Sequence, residues 1–370
     1  MQQPTLKIGK TLVGRDHPCF IVAEIGINYD GDYNQALRLI DVATDAGCNA
    51  VKFQLFTAER MYAKKAGLYQ IATGEKRDII DIIKHSELPH EWITNLKKYA
   101  NKKGVEFFVT ACDEESADVL ARAGVAAYKI ASYEITHLPL FRHIAKKKKP
   151  VIFSCGGAML SEVADAMQVF EEERNRAIAL MHCIGEYPAS PSQLNLRVLT
   201  TLQYAFPHAV IGYSDHSSNP VEAPRAAIAL GAKIIEKHIT LDRNLPGPDH
   251  SFAVNPSELK QLVKVVRSTE KQMRRGARII VDPLLLGSSE RITYKGEKKV
   301  REFTYRTVFA KKAIKRGEVF SSENIAVLRP GEHPRGLEPK YYELLIKGYK
   351  ASRPIQENKS IVWNDVLFSS

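Results

Sequence analysis

Two short runs, Gly212-Tyr-Ser-Asp-His and Glu236-Lys-His, each finish on a histidine, His216 and His238. Side by side, two neutral imidazoles can hold a divalent metal and leave positions open for water and substrate. Nitrogen ligation with few carboxylates favours manganese over calcium, with magnesium or cobalt as alternatives. One histidine alone would read as a satisfied polar residue or a general base; the pair at equivalent positions points to a metal. A second set, Lys52, Thr110, Lys129, Ser132, Ser154 and Ser214, combines two cations with four hydroxyls. It suits an anion with several oxygens, lysine supplying compact charge and hydroxyls donating to the remaining oxygens. The competing reading is a pair of salt bridges from the lysines to Glu24 and Glu236.

These residues need elements that bring them together. Eight β-branched runs begin at Cys19, Ala50, Glu106, Ala127, Pro150, Ala179, Ala209 and Lys233. Amphipathic stretches such as Tyr33–Ala46, His90–Lys103 and Glu114–Ala123 lie between them, each stopped by a glycine (Gly47, Gly104, Gly124) suited to a left-handed cap. Strand–helix alternation repeated this way predicts an α/β fold, a (β/α)8 TIM barrel. An open doubly wound sheet is disfavoured because no glycine-rich loop follows the first strand. Polar groups at the C-terminal ends of barrel strands meet at one mouth. Glu24, Lys52, Gln54, Thr110, Lys129, Ser132, Ser154, His182, Ser214-Asp-His and Glu236-Lys-His all stand at such ends. That many dry polar groups would be costly without a task.

Past Lys271 the character changes. We expect a barrel domain over 1–271, a basic, irregular linker over 272–300, and a small turn-rich β module over 301–370 that packs on the barrel because it buries little core alone. The 370 residues carry 53 basic and 42 acidic side chains, a net charge of +11, which implies an anionic partner. Nucleic acid is not that partner, because the one long basic run, Lys146 to Lys149, reads as a solvated helix end without interleaved aromatics. Five scattered cysteines form no disulfide framework or zinc ribbon. No stretch is apolar enough to span a membrane or act as a secretion signal, so the expectation is a soluble, cytoplasmic protein.

Ala23-Glu-Ile-Gly-Ile-Asn, Val51-Lys-Phe-Gln, Tyr128-Lys-Ile-Ala-Ser, Gly212-Tyr-Ser-Asp-His, Glu236-Lys-His-Ile-Thr-Leu-Asp and Pro246-Gly-Pro-Asp-His resemble the sialic acid synthase family. Arg316-Gly-Glu-Val-Phe and Leu328-Arg-Pro-Gly look like that family's C-terminal antifreeze-like (SAF, β-clip) domain. The resemblance implies condensation of phosphoenolpyruvate with an N-acylated aldose such as N-acetylmannosamine, giving a nine-carbon 2-keto sugar acid and phosphate. Carried over by position, it implies that His216 and His238 bind the metal. Lys52, Thr110, Lys129, Ser132, Ser154 and Ser214 would contact phosphoenolpyruvate. Gln54, Tyr187, Asp249, Phe303 and Arg329 would surround the acceptor, with Glu24 managing a proton alongside the catalytic lysines. It further implies a homodimer in which the antifreeze-like domain, with Arg329, is swapped into the partner's mouth.

The chain departs from the family pattern at Tyr29 and Asp30, in Thr73-Gly-Glu-Lys-Arg around Gly74 and Glu75, and at Gly185 and Glu186. The loop after Arg329 is also longer and more charged. These departures keep three acceptors open: N-acetylmannosamine, its 6-phosphate (with Lys76, Arg77 or Arg335 meeting the phosphate), and a 2,4-diacetamido-trideoxyhexose such as legionaminic or pseudaminic acid synthesis uses. Remoter readings are a Schiff-base aldolase using Lys129 or Lys52 as the amine and a sugar-binding protein with a dead barrel.

Overall fold

A computed structural model describes residues 4–70 and 74–367. Its strands β1 (Phe20–Gly26), β2 (Ala50–Leu55), β3 (Glu106–Ala111), β4 (Tyr128–Ile130), β5 (Val151–Ser154), β6 (Ile178–Cys183), β7 (Val210–Asp215) and β8 (Ile234–His238) pair in parallel and in chain order until β8 meets β1. The helices around this closed barrel are α1 (Tyr33–Ala46), α2 (His90–Lys103), α3 (Glu114–Ala123), α4 (Leu138–Ala145), α5 (Leu160–Glu172), α6 (Val198–Ala205), α7 (Glu222–Ala229) and α8 (Pro256–Arg274). This is a TIM barrel, as the alternation predicts. Helices α1, α2 and α3 end at Gly47, Gly104 and Gly124, with φ of 85°, 85° and 68°. Only glycine takes that conformation without steric cost.

Strand alternation divides the barrel into two packed layers. Ile21, Ala23, Val51, Phe53, Phe107, Val109, Phe153 and Ile235 face the helices and belong to the large outer core. Phe20, Val22, Ala50, Phe108, Ile152, Met181, Val210 and Ile234 fill the interior, together with Leu6, Ile8 and Val13 from an N-terminal hairpin (Thr5–Ile8 with Thr11–Gly14) that closes the bottom. Two residues further along each strand, the same inward register delivers the next side chain to the top. At Gly212 a Cβ would stand 2.8 Å from the Cβ of Ile234, so the glycine lets β7 approach β8 closely.

After α8 the chain forms one turn at Pro283–Leu286 and a helix, α9 (Lys295–Thr304), that begins inside the stretch expected to be irregular and runs past residue 301. Glu297 Oε2 accepts from the Tyr294 N–H at the start of α9, a cap set by a tertiary-anchored carboxylate. Two small antiparallel pairs follow, Thr307–Ala310 with Ile325–Leu328 and Lys350–Ala351 with Val366–Leu367, over their own core of Val308, Ile314, Phe320, Ile325, Leu345 and Ile361. Among the described residues no helix is long and apolar enough to cross a membrane.

Candidate active site

The inward register places Glu24, Lys52, Gln54, Thr110, Lys129, Ser154, Ser214, Glu236 and His238 around one cavity at the mouth, joined by Ser132, Tyr187 and His216 from the loops above. Lys52 Nζ is 2.7 Å from Glu24 Oε2, 3.6 Å from Glu236 Oε1 and 3.1 Å from Thr110 Oγ1. Lys129 Nζ lies 3.0 and 3.1 Å from the two oxygens of Glu236, and Ser214 Oγ donates to the same carboxylate at 3.1 Å. Both the anion-binding set and the competing salt bridges are therefore present, in one network. Ser154 Oγ is buried with no hydrogen-bond partner.

Charge in this network is unevenly held. Burial works to lower Lys52, but Glu236 and Glu24 outweigh it and keep the ammonium above its ordinary range. For Lys129 burial wins, only partly offset by Glu236, and its pKa falls. Burial, opposed by Lys52 and reinforced by Glu236, lifts Glu24. Glu236 stays a firm carboxylate at about 2, because Lys129 and Lys52 overcome its desolvation.

The rings of His216 and His238 are 5.7 Å apart on neighbouring strand ends. Burial drives His216 down to about 4, and His238 well below its ordinary value with help from His216 and Lys52, so both are neutral. The carbonyl of Ile184 lies 2.7 Å from His216 Nδ1 and accepts a hydrogen bond from its N–H, leaving Nε2 with a lone pair. His238 Nδ1 is buried without a hydrogen-bond partner. Neutral rings, a fixed tautomer and an orphaned nitrogen fit a metal that keeps open positions. No group of three or more His, Cys, Asp or Glu that could hold a metal occurs among the described residues.

Above the cavity stands an aromatic rim. Tyr187 stacks on His216 at 4.1 Å and meets Phe252 at 5.0 Å. Phe303, from α9, packs on Tyr62 and Tyr69 at 5.9 and 5.6 Å. Arg329 lies over Tyr62 and Tyr133, 5.6 and 5.8 Å from their centres, and donates to Glu134 Oε1 at 2.5 Å. Asp249 Oδ2 is 3.7 Å from His238 Nδ1, and partial burial beside Glu24 lifts it to about 7. Asp249, Phe303 and Arg329 do not line the cavity, whereas the other predicted site residues do.

Three polar strand-end residues do not reach the mouth. His182 turns outward to the Leu194 carbonyl at 2.7 Å, and Lys237 pairs with Asp215 at 2.6 Å on the helix-facing side. They sit one position off the inward register. None of the departures lines the cavity either. Tyr29 packs behind β2 on Phe53, Asp30 bonds His250, Gly74 and Glu75 lie at an exposed hairpin, Glu186 takes a bond from Gln193, and the Gly185 N–H is spent on Glu297. Thr73 lies outside the described residues. Lys76 and Arg77 are exposed, Arg77 pairing with Glu75. Arg335 donates to the Arg301 carbonyl. The backbone of Arg329 joins Met61 and Ala63 of the same chain at 2.8 and 3.0 Å. Sequence reasoning passed over Glu134, Tyr133, Tyr62 and Tyr69; the signal for the first two was their position directly after Ser132 at the end of β4.

Residues 39–278 match the NeuB family and residues 305–367 the SAF domain. The chain belongs to the NeuB family. Among its NeuB relatives is the spore coat polysaccharide biosynthesis protein SpsE of Bacillus subtilis, 50% identical over 361 residues that cover 98% of this chain and 97% of that one. The crystal structure of SpsE, 48% identical, superposes with a TM-score of 0.90 over 99% of this chain and all of the other. The N,N'-diacetyllegionaminic acid synthase of Campylobacter jejuni is 37% identical over 91% of this chain and 98% of its own length. Through this NeuB membership the chain is a synthase of the nonulosonic acid class.

Proposed function

We propose that this NeuB-family chain is a transferase that joins phosphoenolpyruvate to the open-chain form of an unphosphorylated N-acylated aldose. The products are a nine-carbon 2-keto sugar acid and inorganic phosphate. The observation that carries the reading is the mouth network: two buried ammonium groups sharing two carboxylates, ringed by hydroxyls, beside two neutral imidazoles. An entering phosphoenolpyruvate gives Lys52, Lys129, Thr110, Ser132, Ser154 and Ser214 the oxygens their types are suited to.

C3 of phosphoenolpyruvate attacks the aldehyde carbon, forming the new C–C bond while the aldehyde oxygen takes a proton. Water adds to the cationic C2 and loses a proton, and the C2–O bond to phosphorus breaks as phosphate departs. The lysines and hydroxyls hold the phosphate and carboxylate in line throughout, which lowers the barrier by positioning. Glu24, lifted by burial, sits beside Gln54 (2.8 Å) and Lys52 and is the group we assign to manage a proton there. Held by His216 and His238, a divalent ion, manganese in our reading, would polarise the aldehyde. Tyr187, Phe303, Asp249 and Arg329 orient the acceptor.

The rim supports an unphosphorylated acceptor. Arg329 is paired with Glu134, Arg77 with Glu75, Arg335 donates to the Arg301 carbonyl, and Lys76 is exposed. The rim's aromatic surface suits a 2,4-diacetamido-trideoxyhexose at least as well as N-acetylmannosamine. The test is phosphate release from phosphoenolpyruvate with manganese and N-acetylmannosamine, its 6-phosphate, or 2,4-diacetamido-trideoxyhexoses. Release with an unphosphorylated sugar that stops with chelator is the expected result. Release only with the 6-phosphate would overturn the acceptor reading, and silence with all of them the reaction. The lowered pKa of Lys129 also suits a Schiff-base amine; borohydride trapping of substrate on Lys129 would establish that route instead.

A further inference from the structure

We propose that Asp30 is a positioning residue of this mouth: it clasps His250, and with it the loop after β8, to the loop after β1, and so holds Asp249 beside His238. The idea rests on the proposed function only in taking Asp249 as a contact of the acceptor.

The chain leaves β8 at His238 and enters α8 at Pro256. The base of this loop is tied by its own backbone. Thr240 N–H donates to the Val254 carbonyl at 3.0 Å, and Val254 N–H to the His238 carbonyl at 2.9 Å. Further out the bonds are local, Leu245 N–H reaching the Asp242 carbonyl at 3.4 Å. Asp249 stands in this outer part, and no hydrogen bond among the described residues holds its side chain. Its place 3.7 Å from His238 Nδ1 is therefore set by its neighbours in the chain.

His250, the next residue, is buried and engaged through both ring nitrogens. Nδ1 and Thr240 Oγ1 are hydrogen-bonded at 2.6 Å, within the loop. Nε2 lies 3.0 and 2.9 Å from the two oxygens of Asp30, across the seam where β8 meets β1. A carboxylate only accepts, so Nε2 carries a proton and donates. Asp30 is braced in turn. Gln35 Nε2, in the first turn of α1, donates to Asp30 Oδ2 and to the Asn28 carbonyl, both at 2.9 Å. Asn28 Nδ2 donates to the Ile239 carbonyl at 2.8 Å, a second tie across the same seam. Asp30 adopts a φ of 50°, a left-handed conformation that aspartate tolerates better than most side chains.

Gly247 shows how closely the loop lies on this pair. A Cβ there would stand 2.5 Å from Asp30 Oδ1 and 2.7 Å from His250 Cδ2. The loop backbone is thus seated directly on carboxylate and ring. His250 also stands between the two residues that this loop sends towards His238. One is Asp249; the other is Phe252, whose ring is 5.2 Å from His238 and 5.0 Å from Tyr187. A single anchor sets both. Asp30 does not line the cavity, so its action runs through His250.

Two readouts on the full chain test this, one of them independent of turnover. Glycine accepts a φ of 50° freely, so Asp30→Gly removes the carboxylate without adding backbone strain. Hydrogen–deuterium exchange in peptides covering 244–252 should quicken about tenfold in Asp30→Gly, with β1 and α8 unchanged. The acceptor KM should rise about tenfold while the KM for phosphoenolpyruvate stays put. Asp30→Asn, which keeps an oxygen for His250 Nε2, should restore most of both. Gly247→Ala presses on the same pair and should reproduce the effects, and the double variant should be little worse than either alone. Unchanged exchange over 244–252 in both Asp30→Gly and Gly247→Ala would overturn the clasp. Quickened exchange with an unchanged acceptor KM would overturn the positioning role, where Asp249→Ala does raise that KM. An Asp249→Ala chain with an unchanged acceptor KM would instead refute the place of Asp249 in the proposed function, leaving exchange to decide the clasp.

Discussion

Two buried ionic clusters lie within one barrel mouth and are built from different cations. In the first, Lys52 and Lys129 share Glu24 and Glu236. In the second, Arg306 and Arg329 share Glu134. Lysine is a point charge on a flexible stem and can pass from a carboxylate to an arriving phosphate with little rearrangement. The Arg306 guanidinium spends its remaining donors on the carbonyls of Arg60, Val327 and Cys112, at 2.8, 2.9 and 2.6 Å. That fork has nothing left to offer a ligand. Under the proposed function the lysine cluster is exchangeable, whereas Arg306 makes the arginine cluster a bolt between barrel and domain and Arg329 alone keeps a donor, Nε, without a partner.

The comparison is broken most decisively by Lys129→Ala. We expect phosphate release to fall by a factor on the order of 10²–10³ with little loss of stability, since Glu236 keeps Lys52. A large drop in unfolding free energy with modest loss of rate would reverse the two roles. Arg306→Ala should do the opposite. It leaves Glu134 buried and half-paired, costing about 3–5 kcal/mol, read by urea unfolding as early release of the C-terminal domain.

Acid should separate the clusters next. Burial would raise Glu134, but Arg306 and Arg329 hold it at about 2. The folded carboxyl thus binds its proton less readily than the unfolded one, so the pairing stabilises fully above about pH 4.5 and is lost as pH falls through 2. The linked contribution is about 3 kcal/mol. Glu236 is depressed to the same degree, so the measurement is a difference: Glu134→Gln should flatten the stability profile between pH 4.5 and 2 relative to the native chain. An unchanged profile would mean that the bolt carries no linked protons.

The exchangeable cluster was far more legible in the sequence than the bolt. Lys52, Thr110, Lys129, Ser154 and Ser214 sit on regular strands, where a period of two fixes which side chains share the interior. Applied strictly, the same period excludes His182, Asp215 and Lys237; reading strand ends without their parity admitted them. Helices α1, α2 and α3 were readable from end to end because their stops are local, an αL glycine in each case. The bolt has no local signature. Glu134 and Arg306 meet only after residues 283–306 have packed on the barrel loops, and α9 is started by Glu297, whose other oxygen is fixed by Gly157 and Gly185. Residues so far apart in the chain leave no spacing to read.

The rim between the clusters supplies the smaller effects. Phe303→Ala removes the ring that closes the Tyr62–Tyr69 wall and should raise the acceptor KM about tenfold, a loss of roughly 1.4 kcal/mol, while the KM for phosphoenolpyruvate stays put. Equal changes in both constants would mean that the ring supports the whole mouth and does not face the sugar. Arg335→Ala should do least. Arg335 is exposed, with one bond to the Arg301 carbonyl at 3.2 Å, so its loss should stay within about 0.5 kcal/mol of native stability. Neither KM should change on the acceptor panel. A selective loss of a phosphorylated sugar in Arg335→Ala would turn this exposed cation towards the substrate and the rim from a neutral aromatic surface into an anion site.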